Sequence, residues 1–385
     1  MTTHVFIVDT NTFKCHVEYL FAGTGAKDNR IDFNNSPTTS LNHTTENNLV
    51  GMISDSQRVR KGDLLVFYLQ QNYSENVYEG KFYGIFKIKE DLSFLDNNDA
   101  RQFLKTELIK SLTFRTQIEP FEIYAKGVTE WESLDEIKHI QSPNQMLWSL
   151  IYRKLKGNRG NTMITIYESE RLFKLLRDKN SRQVLSGRNF TFDIQTQEIK
   201  INNVVHNYSG RKEKINILPR LIKKYKDNKA FETHLQAYII QNIGRDTNKS
   251  LDDCLLNNLA FEWLGNEVSC DVGMQRIDVA ISLEKPNSKI IEAIELKAVE
   301  ASIDNVYQLQ RYVDWLEQYY SPNRPSDIQP VLVAKKLSDK NSGSYKEILG
   351  SFKQFNKKNN HCMPIKYIEY ELQDNNLKFQ EIEYS

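Results

Sequence analysis

One segment constrains this chain more than any other: GMQRIDVAISLEKPNSKIIEAIELKA, residues 273–298. It has the pattern of two apolar strands joined by a polar turn at 284–288, with Gly273 supplying a turn ahead of the first. Asp278 lies between Ile277 and Val279 in the first strand, and Glu295 follows seventeen residues later in the second. Side chains alternate along a strand, so Glu295 and Lys297 share one face. Two adjacent strands thereby bring an Asp, a Glu and a Lys into one cluster. Carboxylates held that close repel, and one tends to keep its proton. A hard divalent cation relieves the repulsion, because Mg²⁺ takes one or two carboxylates together with water and phosphate oxygens. An ExK triplet alone is more often a solvated strand face; the elements around it give it weight.

Those elements alternate. After Pro219 come a helical stretch, RLIKKYKDNKAFETHLQAYIIQNI, the strand EVSCDV, the two strands above, the helix DNVYQLQRYVDWLEQYY and the strand QPVLVAKKL. The pattern predicts an α/β (α+β) domain with a central mixed sheet flanked by helices. Glu232 falls on its first helix, and Gln308 and Tyr312 lie one turn apart on the later one. The first half is richer in strands. HVFIVDT opens it, an Asn- and Thr-rich stretch (29–48) is expected as a surface loop, and DLLVFYL (63–69) and FYGIFKI (82–88) predict a β-meander or barrel. ARQFLKTELIKSL (100–112) has helical spacing, PFEIYAKGV (120–128) returns to strand, and NQMLWSLIYRKL (144–155) is amphipathic. Thr165 and Glu168 have capping-box spacing at the head of a helix over 165–179. The pattern weakens after residue 180 into hairpin or linker material, so the expected organisation is 1–176, a connecting 177–218, and 219–385.

Composition narrows the class. Two domains are the natural expectation for 385 residues, and 39% hydrophobic with 26% charged residues fits a globular protein. No run approaches the roughly 18 apolar residues of a membrane span. The start, MTTHVFIVDT, lacks the features of a secretory signal, so a cytoplasmic location is expected. Cys15, Cys254, Cys270 and Cys362 form no CxxC pair and are expected as reduced thiols, with His361-Cys362 a surface pair. No GxxxxGK[ST] loop occurs, so no nucleotide cofactor is expected. A net charge of +1 leaves nucleic acid open, because a groove needs only a local basic stripe. Three runs qualify: Arg58, Arg60 and Lys61; Arg153, Lys154, Lys156 and Arg159; and Arg220, Lys223, Lys224 and Lys226.

The order Glu232, Asp278, Glu295-x-Lys297, Gln308-x-x-x-Tyr312 resembles the PD-(D/E)xK nucleases of the RecB-like branch, over roughly 219–336. The resemblance implies that Asp278 and Glu295 hold Mg²⁺, with Mn²⁺ as a substitute. It makes Glu232 the helical acid completing the metal shell, Lys297 the active-site lysine, and Gln308 and Tyr312 the branch's QxxxY helix. VRKGDLLVFYLQQ and GKFYGIFKIKEDL resemble the EVE and PUA-like β-barrels, over roughly 1–176. That fold in several settings captures a modified or flipped base. Tyr68, Trp131 and Trp148 are the candidate pocket walls, and Lys154, Lys156 and Arg159 of the KLKGNRG loop the candidate backbone contacts. Together the resemblances imply a restriction-type endonuclease: a base-reading unit, with modified cytosine as the candidate mark, fused to a cutter of double-stranded DNA acting as a homodimer. A repair nuclease for branched, mismatched or single-stranded DNA, and a nucleic-acid-binding protein with an inactive core, remain open alternatives.

Overall fold

A computed structural model describes residues 1–25, 43–141, 160–270, 275–320 and 327–384. The chain divides into two units, Met1–Asp32 with Asp55–Ile215, and Phe33–Ser54 with Asn216–Ser385. In chain order the elements before Ile215 are β1 (Thr3–Val8), α1 (Thr10–Tyr19), β2 (Phe21–Thr24), α2 (His43–Gln57), β3 (Leu64–Leu69), β4 (Lys81–Ile88) and β5 (Phe94–Leu95). They continue with α3 (Lys105–Leu108), β6 (Phe114–Glu122), β7 (Val128–Thr129), α4 (Glu130–Asp135), β8 (Asn161–Ile164), α5 (Ile166–Lys179), β9 (Phe190–Asp193) and β10 (Glu198–Ile201).

The first unit is built on a sheet in the order β2-β6-β4-β3-β1-β8, with β5 on β6 and β7 on β4, curled into a half-barrel. Only β1 and β3 run parallel among its described pairs. The pairing shifts register between Leu65 and Phe67 and again between Ile85 and Phe86, beside Gly84 at φ +65°. Such bulges bend a strand and increase its twist, which curls the sheet. The sheet is buried on both faces: Leu65, Phe67 and Leu69 enter one core cluster, Val66 and Tyr68 the other. That explains why DLLVFYL is apolar throughout. In the turn before β3, Gly62 takes φ +87° and Asp63 accepts hydrogen bonds from the Thr2 and Arg60 amides while meeting His4 Nε2 at 2.9 Å.

The capping box holds: Thr165 Oγ1 accepts from the Glu168 amide at 3.1 Å, and Glu168 Oε2 from the Thr165 amide at 2.7 Å. Other expectations change. Residues 100–112 form only the one-turn α3, flanked by Leu104 and Ile109 in left-handed conformations. Leu104, Leu108 and Leu112 still bury together against Phe21, so the helical spacing reported a shared burial reached by an irregular path. The strand expected at 120–128 begins earlier, as β6, and only β7 follows. Within 177–218, β9 and β10 form a hairpin whose Phe190, Phe192 and Ile199 join the first unit's core. Of the polar stretch 29–48, residues from His43 onward are helical; the rest, and the 144–155 segment, lie outside the described residues.

The second unit contains α6 (Leu218–Lys226), α7 (Glu232–Asn242), α8 (Lys249–Leu255), β11 (Ala260–Ser269), β12 (Arg276–Lys285), β13 (Ser288–Glu300) and α9 (Ile303–Trp315). It ends with β14 (Ile328–Lys335), α10 (Gly343–Lys358), β15 (Lys366–Gln373) and β16 (Asn376–Glu381). Its six strands lie side by side in chain order. β11, β12 and β13 form an antiparallel meander. β13, β14 and β15 run parallel, and parallel neighbours need crossovers, which α9 and α10 supply. α9 packs on β13 and β14, and α7 on β12 and β13. This is the mixed sheet flanked by helices that the sequence pattern implies.

A buried ionic cluster helps to hold this unit. Glu46 lies 2.7 Å from Arg220 Nε, 3.4 Å from Lys224 Nζ and 2.7 Å from His234 Nε2. Arg220 and Lys224, expected as part of a basic run, are therefore buried structural partners. Arg58 of another run is also buried, bonded to Asp55 and Asn161. All four cysteines are buried and outside any disulfide, so Cys362 is no surface residue, while His361 pairs with Glu317. No helix of the described residues is long and apolar enough to cross a membrane.

Candidate active site

β12 and β13 pair regularly as far as Val279 opposite Ile294. The next step in that register sets Asp278 against Glu295, and there the ladder stops, although β12 reaches back to Arg276 and β13 on to Glu300. The strands fork. Backbone groups released from a ladder need other partners, and side chains provide them. Asp278 Oδ2 accepts from the Leu296 amide at 2.8 Å, Gln236 Nε2 donates to the Asp278 carbonyl at 2.9 Å, and the Tyr312 hydroxyl, 2.8 Å from the Arg276 carbonyl, shares its one proton between that oxygen and Glu295.

Glu295 is almost fully buried in the fork. Lys297 Nζ sits 2.5 Å from its Oε1, and the Tyr312 hydroxyl hydrogen-bonds to its Oε2. Lys297 lies 3.7 Å from Glu232, at the first turn of α7; their side chains are 17% and 52% exposed, so the cluster opens to solvent on the Glu232 side. Burial, then the charge of Glu295, pushes the Asp278 carboxyl well above its ordinary range; the Leu296 amide and Lys297 offset this only in part. Burial pulls the Lys297 ammonium down, but Glu295, Glu232 and Asp278 outweigh it and leave it raised. Tyr312 is pushed up by burial and by the carboxylates of Glu295 and Asp278. At neutral pH the site holds an ammonium and a phenol, while burial and Glu295 favour the protonated form of Asp278.

The sequence-derived residues Asp278, Glu295, Lys297 and Tyr312 thus converge, with Glu232 at the rim. Gln308 is half-buried and accepts from Asn305 Nδ2 at 3.5 Å. Sequence reasoning missed Gln236 and Glu267. Gln236 lies one helical turn beyond Glu232, a signal within the sequence. Glu267 of β11 stands opposite Asp278, between the pairs Asn266–Val279 and Val268–Ile277, at φ +52°. Its carboxylate accepts from Gln236 Nε2 at 3.1 Å and pairs with Arg276 Nη1 at 2.8 Å.

Among the described residues no group of three or more His, Cys, Asp or Glu side chains is arranged to hold a metal ion. The three-carboxylate shell of Glu232, Asp278 and Glu295 is not assembled: Glu232 faces Lys297, and Lys297 and the Tyr312 hydroxyl each engage one oxygen of Glu295. What is present is a pair of hard oxygen donors across the fork. That set fits a Mg²⁺ ion completing its shell with water and substrate phosphate.

Of the base-pocket candidates, Tyr68 and Trp131 lie among the described residues. Tyr68 is fully buried against Phe82, with its hydroxyl donating to Glu130 Oε2 at 3.1 Å; it belongs to the core because it shares a strand face with Val66. Trp131 is 64% exposed on α4. Trp148, Lys154, Lys156 and Arg159 lie outside the described residues. The first unit instead has a cavity of about 920 Å³ bordered by His16, Thr12, Gly25, Lys105, Ile109 and Lys110, among others. His16 is buried and stacked on Phe67, and neither ring nitrogen has a hydrogen-bond partner among the described residues. Burial, aided by the Arg115 charge, pushes its pKa down to about 3. The neutral ring offers one donor and one acceptor. At the border, Ile109 is 85% exposed and held at φ +59°, a strained conformation for a β-branched residue.

No protein-family model matches the chain, and no curated protein is similar to it. Among solved structures, human THYN1 in complex with DNA containing 5-methylcytosine is 9% identical, with a TM-score of 0.25, over 46% of this chain and 96% of that one. The DUF55 domain of human thymocyte nuclear protein 1 is 11% identical, with a TM-score of 0.24, over 45% of this chain and 96% of that one. Likenesses this slight assign neither fold nor ligand.

Proposed function

We propose that this protein is a metal-dependent DNA endonuclease whose phosphodiester-cleaving centre is the β12–β13 fork. The observation that carries the reading is the placement of Asp278 opposite Glu295 with Lys297 against Glu295 in a mostly buried fork, an arrangement costly to fold unless it serves chemistry. Asp278 and Glu295 would hold Mg²⁺ or Mn²⁺, which when bound supplies positive charge for the phosphate and acidifies water. Lys297 then orients the attacking water and stabilises charge on the phosphoryl oxygens. Tyr312 keeps Glu295 in one rotamer, and Glu232, at the solvent side, adds a weaker contribution to metal retention.

The first unit is the DNA reader in this proposal, through the His16 cavity rather than an aromatic cage. Its volume suits a ligand of nucleotide size. The neutral imidazole holds a donor and an acceptor just behind the cavity wall, while Lys105 and Lys110 at the border favour a phosphate. Modified cytosine is the first base to test.

Alanine at Asp278, Glu295 or Lys297 should lower cleavage of plasmid DNA by about 100-fold or more while leaving DNA binding in a gel-shift assay intact. Loss of binding in parallel with cleavage, or full cleavage by any of the three, contradicts the assignment. For the reader, His16→Phe keeps the stack on Phe67 but removes both nitrogens. It should erase any preference among unmodified, methylated and hydroxymethylated duplexes without lowering the basal cutting rate. A preference that survives the substitution removes the cavity from the reading.

A further inference from the structure

We infer that Gln236 is a positioning residue for metal capture, acting through a bridge to Glu267 on the neighbouring strand; the inference rests on the fork being the metal site. The two protons of its amide group go in two directions, one to the Asp278 carbonyl at 2.9 Å and the other to Glu267 Oε1 at 3.1 Å. The first bond fixes the main chain of Asp278 at the point where the ladder with β13 has been given up. The second ties that point to β11. Gln236 is itself buried, so neither bond is readily replaced by water.

The position of Glu267 gives the bridge its purpose. It stands directly across β11–β12 from Asp278, so an unrestrained carboxylate there could swing toward the cluster and compete for its cation. Two donors prevent this: Gln236 holds Oε1, and Arg276, two residues before Asp278, pairs with Oε2 at 2.8 Å. Glu267 is thereby an anchor instead of a ligand. The left-handed backbone at Glu267, φ +52°, aims its side chain at these partners and is strained for a residue other than glycine. One helix, α7, thus contributes Glu232 at the mouth of the site and, one turn on, the amide that sets the position of Asp278.

The test is a Mg²⁺ titration of plasmid cleavage by the full-length protein. Gln236→Met keeps the length and bulk of the side chain without its donors. It should raise the half-saturating Mg²⁺ concentration about tenfold while leaving most of the rate at saturating metal, because partners that orient metal ligands affect affinity first. Glu267→Leu should raise it similarly. Glu267→Gln, which keeps an acceptor for Gln236, should stay close to wild type. Because both residues act through one bond, the Gln236→Met, Glu267→Leu double variant should be little worse than either single variant. A Gln236→Met protein with unchanged metal requirement, or losses that multiply in the double variant, overturns the bridge. Melting temperatures measured alongside separate positioning from folding: a requirement that tracks lost stability across all variants, Glu267→Gln included, also overturns it. Wild-type protein that cleaves nothing at any Mg²⁺ concentration overturns the nuclease reading and this inference together.

Discussion

At the scale of single residues, the fork sets function against stability. Asp278 retains its proton more firmly in the folded protein than in the unfolded chain. A carboxyl with a raised folded pKa favours the fold most at low pH. That contribution is lost as pH rises from the ordinary carboxylate range through the raised folded value. Asp278→Asn removes the titration while keeping an oxygen for the Leu296 amide. It should raise Tm at neutral pH, narrow its difference from wild type in acid, and abolish cleavage; a lower Tm at neutral pH contradicts the picture. Tyr312→Phe makes the opposite change, leaving Oε2 of Glu295 without its donor in a buried position while Lys297 stays on Oε1. A hydrogen bond to a charged group contributes roughly 1.5–3 kcal/mol, so stability in a denaturant titration should fall by about that amount. Unchanged stability would mean that the Tyr312 hydroxyl does not bond Glu295 in solution.

The scale of elements shows what was legible in the sequence. Period-2 alternation placed Glu295 and Lys297 together, and i, i+4 spacing put Tyr312 on a buried helix face, because both signals are local and periodic. Thr165 and Glu168 announced a helix start through four residues of chemistry. Replacing Thr165 with Ala should lower stability by about 1 kcal/mol; a change near zero would mean the cap is not formed in solution. What could not be read was non-local. Leu104, Leu108 and Leu112 carry helical spacing yet sit around a one-turn helix, since burial against Phe21 can be met by either path. Gln236 and Glu267 are 31 residues apart in sequence and meet only because α7 packs on the strands that the β11–β12 register aligns. His16 had no flanking pattern to mark it, because its lack of hydrogen-bond partners among the described residues depends on the surrounding fold.

On the scale of the whole molecule, the second unit is discontinuous: it takes Phe33–Ser54 from early in the chain. Glu46 of that segment is the buried counter-charge to Arg220 and Lys224. Removing one partner of a buried ionic cluster leaves the others uncompensated, so Glu46→Ala should destabilise the protein by about 3 kcal/mol in a denaturant titration. A fragment beginning near residue 210 should be similarly weakened and recover when the 33–57 segment is supplied; equal stability with and without that segment contradicts the structural role given to Glu46. The central claim is that the fork captures a divalent cation and cuts DNA with it. Its most direct test is incubation of purified full-length protein with supercoiled plasmid in Mg²⁺, in excess chelator, and in chelator followed by restored Mg²⁺. The account predicts nicked or linear product in the first and third conditions and none in the second, with Lys297→Ala silent in all three. Undiminished cleavage in excess chelator, or no cleavage in any condition, would contradict it.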